Sequence, residues 1–189
     1  FSNVETGKDM LLGDISKIDK NGVFSSEINS KRGRLLHLAD RLLSGRLCIA
    51  SMMIGASKYT IETAITYSST RKAVGPDGRS DTPILDYQLQ KRALMPLLAK
   101  TYAYNFAINY TKDVFIENDK NKETEKLLLC CIMKTLLSWH NEQVSTVSRE
   151  RCGGQGYLSA NRLGEAIMGS HAGITAEGDN RVLMQKISK

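Results

Sequence analysis

The sequence predicts an all-α domain built as an antiparallel bundle of long helices. Three long stretches carry apolar residues three or four positions apart, which is the spacing of one face of an α-helix. Strand-like alternation is nearly absent after residue 30, and short polar or glycine-rich segments separate the stretches. The 189 residues, 41% of them hydrophobic, are enough for one domain with a substantial core.

The first 30 residues mix glycine, aspartate, asparagine and serine without a sustained period, so turns are expected, with room for one short strand. We predict that residues 1–30 are an irregular lead-in and that residues 31–189 form the helical domain. The first long helix is predicted from about Leu42 to Ser69. Its apolar or small residues recur at helical spacing at Leu43, Leu47, Ala50, Ile54, Ile61 and Ile65.

A second helix is predicted from about Pro83 to Glu117. Turn-forming residues fill positions 75–82, and proline suits the first helical position after an N-cap candidate. Pro96 inside this stretch favours a kink. The predicted apolar stripe consists of Leu94, Leu98, Tyr102, Phe106 and Tyr110.

After a polar connection at residues 118–121, a third helix is predicted up to about Arg149. Its predicted stripe consists of Leu129, Ile132, Leu136 and Trp139. The Cys-Gly-Gly segment at residues 152–154 should end this helix, because glycine readily adopts the left-handed backbone that terminates helices. A short turn or helix is expected at residues 161–168, and residues 179–189 have the pattern of a further helix.

Composition restricts the possible functions only loosely. The formal charge of +6 and the pI near 9.1 favour an anionic partner, without separating nucleic acid, membrane surface and phosphorylated ligand. Four cysteines without a CxxC pair are typical of a reducing compartment. Three widely separated histidines predict no metal site, and the lack of an 18-residue apolar run predicts no stable membrane insertion.

Two segments near the C-terminus carry the functional signal. The glycine-rich residues 152–156 can bring bare backbone N–H groups against a phosphate. Glu177 precedes an apolar helical stretch, where a carboxylate can act as an aimed base. Together the segments favour proton removal beside a phosphorylated cofactor. A plainer interpretation also stays open, in which Glu177 is a first-turn residue favoured by the helix dipole.

Four motifs of this chain are YSSTRKAVG at residues 67–75, ILDYQ at 84–88, CGGQG at 152–156 and EGDN at 177–180. In order and spacing they resemble the C-terminal helical, FAD-binding region of acyl-CoA oxidases, within the acyl-CoA dehydrogenase superfamily. The dehydrogenases share the arginine–glycine, Gly-Gly and Glu-Gly elements, whereas EGDN and ILDYQ are closer to the oxidase branch.

The resemblance implies an FAD-dependent enzyme that introduces a trans double bond between Cα and Cβ of a fatty acyl-CoA and reduces O2 to hydrogen peroxide. Glu177 matches the family's catalytic glutamate, the base that removes the α-proton of the thioester. Burial against ligand and flavin would disfavour its charged form and make it a stronger base.

The resemblance also implies FAD contacts. Arg71 matches an arginine that binds the pyrophosphate of the neighbouring subunit's FAD with its planar fork, so a homodimer through the helical domain is implied. Gln88 matches a glutamine near the adenosine, and Gly153 and Gly154 match backbone that approaches the cofactor. A solvated arginine, an ordinary helical glutamine and a helix C-cap are the alternatives. Asn180 is a cofactor contact by resemblance, although capping of the last helix explains it equally well.

Complete members of the family have a β-domain before this region and further helices after it, so the segment alone is expected to be inactive. A peroxisomal location follows from the resemblance alone. Two alternatives remain: a dehydrogenase that passes electrons to a flavoprotein, and a noncatalytic basic helical module. Nucleic acid is disfavoured as a partner because the basic residues at 31–34 and 120–126 lack interleaved aromatic residues. Arg46 resembles a position that approaches CoA, but a solvent-facing arginine fits equally well.

Overall fold

The computed structural model describes residues 2–11, 15–40, 42–117 and 119–188. The chain divides into two units, residues 1–41 and residues 42–189. In the first unit, strands β1 (Ser16–Ile18) and β2 (Phe24–Ser26) pair antiparallel, and helix α1 (Lys31–Asp40) follows them. The lead-in therefore contains two short strands where room for one was predicted. Helix α1 belongs to the first unit, so the two units divide after residue 41. The domain boundary was predicted from the sequence after residue 30.

The described residues of the second unit form five α-helices, of which the first three are long. They are α2 (Leu43–Thr70), α3 (Gln88–Glu117), α4 (Glu123–Arg151), α5 (Leu163–Thr175) and α6 (Asn180–Ile187). Strands β3 (Lys72–Ala73) and β4 (Thr82–Pro83) pair antiparallel between α2 and α3. Short 3-10 turns lie at Lys8–Met10 in the first unit and at Ile84–Asp86, Lys120–Lys122, Gly153–Tyr157 and Ser159–Asn161 in the second. The prediction of an all-α bundle of long helices is confirmed.

Helix α4 lies at the centre of the second unit, where it packs against α2, α3, α5 and α6. Its buried face contains many polar side chains beside apolar ones. Some of their hydroxyls donate within the helix, as Thr135 does to the carbonyl of Cys131 and Ser138 to that of Lys134, both at 2.8 Å. None of the helices in the described residues combines the length and apolar content needed to cross a membrane.

The predicted start of the second helix at Pro83 is wrong. Thr82 and Pro83 pair with the strand after α2, and residues 84–86 form a 3-10 turn, so α3 begins at Gln88. Helix α3 then continues through Pro96, which lies on the exposed side of the helix. The Arg92 carbonyl, which has no helical donor because proline lacks an N–H, belongs to an exposed residue, and the helix does not end there.

The predicted apolar stripe of α3 is only partly buried. Leu94 is 0% exposed, but Phe106 is 69% exposed, and Tyr102 and Tyr110 are exposed as well. The buried face carries Leu97, Thr101, Ile108, Thr111 and Val114 instead. Threonines can line this face because their hydroxyls donate to helix carbonyls, as Thr101 does to Leu97 at 2.8 Å.

His140 is buried in α4 with a fixed protonation pattern. Thr101 donates its hydroxyl hydrogen to the carbonyl of Leu97, so its oxygen accepts the Nε2–H of His140 at 2.8 Å. The Nδ1 atom is buried and has no hydrogen-bond partner among the residues that the structure describes. Burial, with a smaller contribution from Lys100, lowers the pKa of His140 from 6.5 to about 4. The imidazole therefore stays neutral in the folded chain at neutral pH.

We expect this histidine to make the fold sensitive to acid. Between pH 6.5 and pH 4 the unfolded chain takes up a proton that the folded chain refuses, so the free energy of unfolding falls as pH falls through this window. The pKa difference corresponds to about 3 kcal/mol. Denaturant unfolding at pH 7 and pH 4.5 measures it. His140→Gln should reduce the pH dependence, whereas His171→Gln, at an exposed site, should leave it unchanged.

Candidate active site around Glu177

Glu177 lies in the tight turn that joins α5 to α6. Its backbone is left-handed, with φ of 57°, and Gly178 follows with φ of 108°. A left-handed glutamate is unfavourable because its Cβ crowds the carbonyl, and such residues persist only where neighbouring groups hold them. The predicted first-turn alternative is wrong, because α6 begins at Asn180 and Asp179 is its N-cap. The predicted helix after residue 179 is confirmed.

The side chain of Glu177 reaches the first turn of α2. A Cβ atom built on Gly45 would lie 2.6 Å from the Glu177 Cδ and Oε2 atoms, so glycine leaves room for the carboxyl group. The N-terminal end of a long helix attracts negative charge because its first N–H groups have no partner within the helix. Glu177 is exposed in this chain, so the dry environment expected from ligand and flavin stays a prediction.

Two buried cations hold the backbone of this turn. Arg46 on α2 is only 8% exposed, and its Nε donates to the carbonyl of Glu177 at 3.2 Å. Lys134 on α4 is 0% exposed, and its Nζ donates to the carbonyls of Ile174 and Gly178 at 3.0 and 2.6 Å. The solvent-facing alternative for Arg46 is therefore wrong.

Lys134 was not predicted from the sequence, although a signal for it exists. It is the one charged residue in the otherwise almost wholly apolar stretch of residues 127–137. Lysine is almost never fully buried without partners, so an isolated lysine in such a stretch points to a paired ammonium inside the fold. A search for such residues would have found it.

The two residues after Glu177 and Gly178 fix the start of α6. The Asp179 carboxylate accepts from the backbone N–H groups of Arg181 and Val182 at 2.8 and 3.4 Å. Asn180 is 0% exposed; its Oδ1 accepts from Lys134 at 2.8 Å and its Nδ2 donates to Ser138 at 2.9 Å. The amide of Asn180 is thus used within the chain, and its predicted contact with a cofactor stays a prediction.

A second group of predicted residues lies beyond the other end of α2. Arg71 and Gly153 both line a shallow cavity of about 240 Å³, together with Arg151. Arg71 and Gly153 are exposed. Beyond its own chain neighbours and helix backbone, no heavy atom of the described residues lies within 4 Å of a Cβ built on Gly153 or Gly154. The backbone of Gly153 is left-handed, with φ of 57°, at the end of α4, so it also serves as the predicted helix terminator.

The remaining predicted residue, Gln88, is exposed at the first position of α3 and does not line this cavity. Sequence analysis missed Gln90, two positions later. Its buried Nε2 donates to the Ser68 hydroxyl at 2.8 Å and to the Arg151 carbonyl at 3.0 Å. Gln90 thereby joins α2, α3 and α4 beneath the cavity, and the i, i+2 spacing from Gln88 gives no sequence signal that separates the two roles.

The two groups of residues are far apart in one chain. Glu177 contacts the start of α2, whereas Arg71 follows directly after its last residue. At 1.5 Å per residue, the 28 residues of α2 separate them by about 40 Å. A single chain therefore does not bring Glu177 and Arg71 into one pocket.

The family model of the acyl-CoA oxidase C-alpha1 domain matches residues 40–189. The chain belongs to the acyl-CoA oxidase family. It is 36% identical over 193 residues to the putative acyl-coenzyme A oxidase 3.2, peroxisomal, of Arabidopsis thaliana, covering 100% of this chain and 28% of that protein. This acyl-CoA oxidase family chain thus spans about 28% of the length of that curated relative.

Solved structures of acyl-CoA oxidases have the same fold. Arabidopsis thaliana acyl-CoA oxidase 1 matches with a TM-score of 0.84 and 26% identity, over 100% of this chain and 29% of that one. Acyl-CoA oxidase-1 of Caenorhabditis elegans, complexed with FAD and ATP, matches with a TM-score of 0.77 and 22% identity, over 100% of this chain and 28% of that one. At 22% identity, the match to the Caenorhabditis elegans enzyme shows a shared fold alone.

We expect Gly45→Ala to separate activity from stability in this oxidase family member. The added methyl group would displace the Glu177 carboxyl group, whose exposed end can move, so the fold should change by less than about 1 kcal/mol. Since Glu177 is the base that the resemblance implies, a displacement of about 1 Å is expected to cost about 100-fold in turnover. Turnover of the full-length enzyme and its thermal midpoint measure the two effects. Gly55→Ala, on the same helix with open space around it, is the matched control.

Proposed function

We propose that this chain is part of an FAD-dependent acyl-CoA oxidase of fatty acid β-oxidation. The enzyme converts fatty acyl-CoA to trans-2-enoyl-CoA and reduces O2 to H2O2. The observation that carries the proposal is the left-handed Glu177, held by Arg46 and Lys134 with its carboxyl group at the start of α2, in a chain of this family. A peroxisomal location is proposed because the Arabidopsis relative is named as peroxisomal.

Glu177 is the proposed base. The α-proton of a thioester is weakly acidic, so its removal needs a carboxylate that is already aimed at it. The turn supplies the aim, because the Glu177 backbone is fixed through its own carbonyl and the following one. Acyl-CoA bound over the exposed carboxylate would exclude water from it and strengthen it as a base.

The proposed cofactor is FAD, which is the cofactor named with the Caenorhabditis elegans oxidase. A bound FAD would supply the acceptor for the hydride from the substrate Cβ and the route for its electrons to O2. The cavity beside Arg71 and Gly153 fits its pyrophosphate, since it pairs an exposed guanidinium with open glycine backbone. Gln88 and Gly154 are proposed contacts at the edge of that site.

The separation of Glu177 from Arg71 supports a shared site in a homodimer. We propose that Glu177 of one subunit and Arg71 of the other act on the same cofactor. Because the two residues lie at opposite ends of α2, two subunits are needed to bring them to one dinucleotide. Each subunit would then contribute Arg71 to its partner's site and Glu177 to its own.

Mixed dimers test this arrangement. Full-length Glu177→Gln and Arg71→Met subunits, carrying different tags, are co-expressed and the mixed dimer is purified. With shared sites, the mixed dimer contains one intact site and should regain about half of the wild-type activity per dimer, while each parent variant stays low. If both residues served the site of their own subunit, the mixed dimer would be as inactive as its parents.

The reaction itself is tested on the full-length protein. It should purify with bound yellow flavin and release one H2O2 per enoyl-CoA formed from palmitoyl-CoA in air. A dehydrogenase would reduce its flavin with palmitoyl-CoA but release little peroxide until an electron-accepting dye is added. A noncatalytic helical module would hold no flavin. The 189-residue segment alone should not turn over acyl-CoA, and measurable turnover by it would contradict that expectation.

A further inference from the structure

We infer that Lys134 is a positioning residue for the reaction, because it holds the turn that carries Glu177. The inference rests on the proposed function, which gives this turn a catalytic group to position. Lys134 touches neither the proposed substrate nor the proposed cofactor in this role. It acts through the backbone on both sides of Glu177.

The ammonium group of Lys134 has three acceptors within hydrogen-bond distance. They are the carbonyl of Ile174 at 3.0 Å, the carbonyl of Gly178 at 2.6 Å and the Oδ1 of Asn180 at 2.8 Å. An ammonium has three N–H donors, so each donor has one acceptor. The acceptors lie before and after Glu177 in the chain, and the lysine therefore closes the turn around it.

A positive charge is well suited to this place. The carbonyl of Ile174 belongs to the last turn of α5, where carbonyls lack donors within the helix and carry the negative end of the helix dipole. Burial lowers the pKa of the Lys134 ammonium, and Arg46 adds to this, while Asp179 and Glu177 act in the opposite direction. The carbonyls of the turn thus stabilise the buried ammonium, and the ammonium fixes the backbone of the turn.

Loss of the ammonium would release the left-handed backbone. Arg46 would still bind the carbonyl of Glu177, but the carbonyls of Ile174 and Gly178 would lose their donor. A non-glycine residue returns to right-handed or extended backbone when its surroundings allow it. The carboxyl group would then move away from the first turn of α2.

The test uses the full-length, flavin-loaded enzyme. Lys134→Met keeps an unbranched side chain and removes the charge. The control is Leu94→Ala, which weakens a fully buried part of the core in α3 without removing a contact of the turn. Backbone hydrogen exchange of residues 174–180 is measured in both variants, beside flavin content, kcat and KM.

We expect exchange at residues 174–180 to rise in Lys134→Met and to stay at the wild-type rate in Leu94→Ala. In Lys134→Met, kcat should fall by about 10-fold to 100-fold, with flavin content retained and KM changed by less than about three-fold. If Lys134→Met does not fold, Lys134→Arg replaces it, because a guanidinium keeps the charge but cannot place three donors on the same acceptors. Its turn should exchange faster as well.

Two outcomes separate this inference from the proposed function. If the lysine variant exchanges and turns over like Leu94→Ala, Lys134 is not a positioning residue, even if Glu177→Gln is inactive. If Glu177→Gln keeps its turnover, the assigned base is wrong, and faster exchange in the lysine variant would then report only a structural turn. The positioning role is upheld when the turn loosens, kcat falls and Glu177→Gln is inactive.

Discussion

Glu177→Gln in the full-length enzyme is expected to slow reduction of bound flavin by palmitoyl-CoA by about 10²-fold to 10⁴-fold, the range supplied by a general base. Glutamine keeps the size of the side chain and its place beside Gly45, but its amide cannot take up the α-proton. Anaerobic stopped-flow bleaching of the flavin measures this step alone. Flavin content should remain at the wild-type level.

Glu165→Gln is the matched control for this variant. Glu165 is an exposed residue of α5, on the helix that leads into the turn, and it pairs with Arg162 at the surface. Its replacement should leave the bleaching rate unchanged. A Glu177→Gln enzyme that bleaches as fast as the Glu165→Gln enzyme would remove Glu177 from its role as base.

Leu94→Ala is expected to destabilise the 189-residue chain by about 2–5 kcal/mol, whereas Phe106→Ala should change its stability by less than about 0.5 kcal/mol. Leu94 is fully buried and its loss leaves a cavity, while Phe106 is mostly exposed on the same helix. Denaturant unfolding of both variants measures the difference. Equal losses would mean that the buried face of α3 includes its aromatic residues.

The helices could be predicted from the sequence because hydrophobic spacing and turn-forming residues act locally. The first long helix was predicted at residues 42–69 and is found at Leu43–Thr70. The start of α3 could not be predicted, because Thr82 and Pro83 pair with Ala73 and Lys72, nine and eleven residues earlier in the chain. That pairing depends on residues outside the helical pattern, whereas a proline before a helical pattern is a signal within it.

The buried faces were harder to predict than the helices themselves. In α3 and α4 the interior includes threonine and serine residues that donate to their own helix, so the true buried face looks polar in the sequence. Tyrosine and phenylalanine at Tyr102 and Phe106 gave a stronger apolar signal on the wrong face. Hydrophobicity scales count side-chain type and not the internal hydrogen bonds that hide a hydroxyl.

Glu177 was predicted as the base and stays a prediction, whereas the residues that hold its turn were not predicted. Glu177 stood out because it precedes an apolar stretch within a family motif. The left-handed backbone of Glu177 and its cationic partners Arg46 and Lys134 depend on contacts across 131 and 44 positions of the chain. No local pattern encodes such distant pairs, although the isolated charge at Lys134 marks one of them.

The turn connects α5 to α6, but its restraints come from elsewhere, with Arg46 on α2 and Lys134 on α4. The position of the Glu177 carboxyl group therefore depends on how α2, α4, α5 and α6 lie relative to one another. Gentle warming that lets these helices slide by fractions of an ångström would misalign the reacting atoms while every helix is still intact. Heat inactivation should thus set in below the temperature at which the bundle melts.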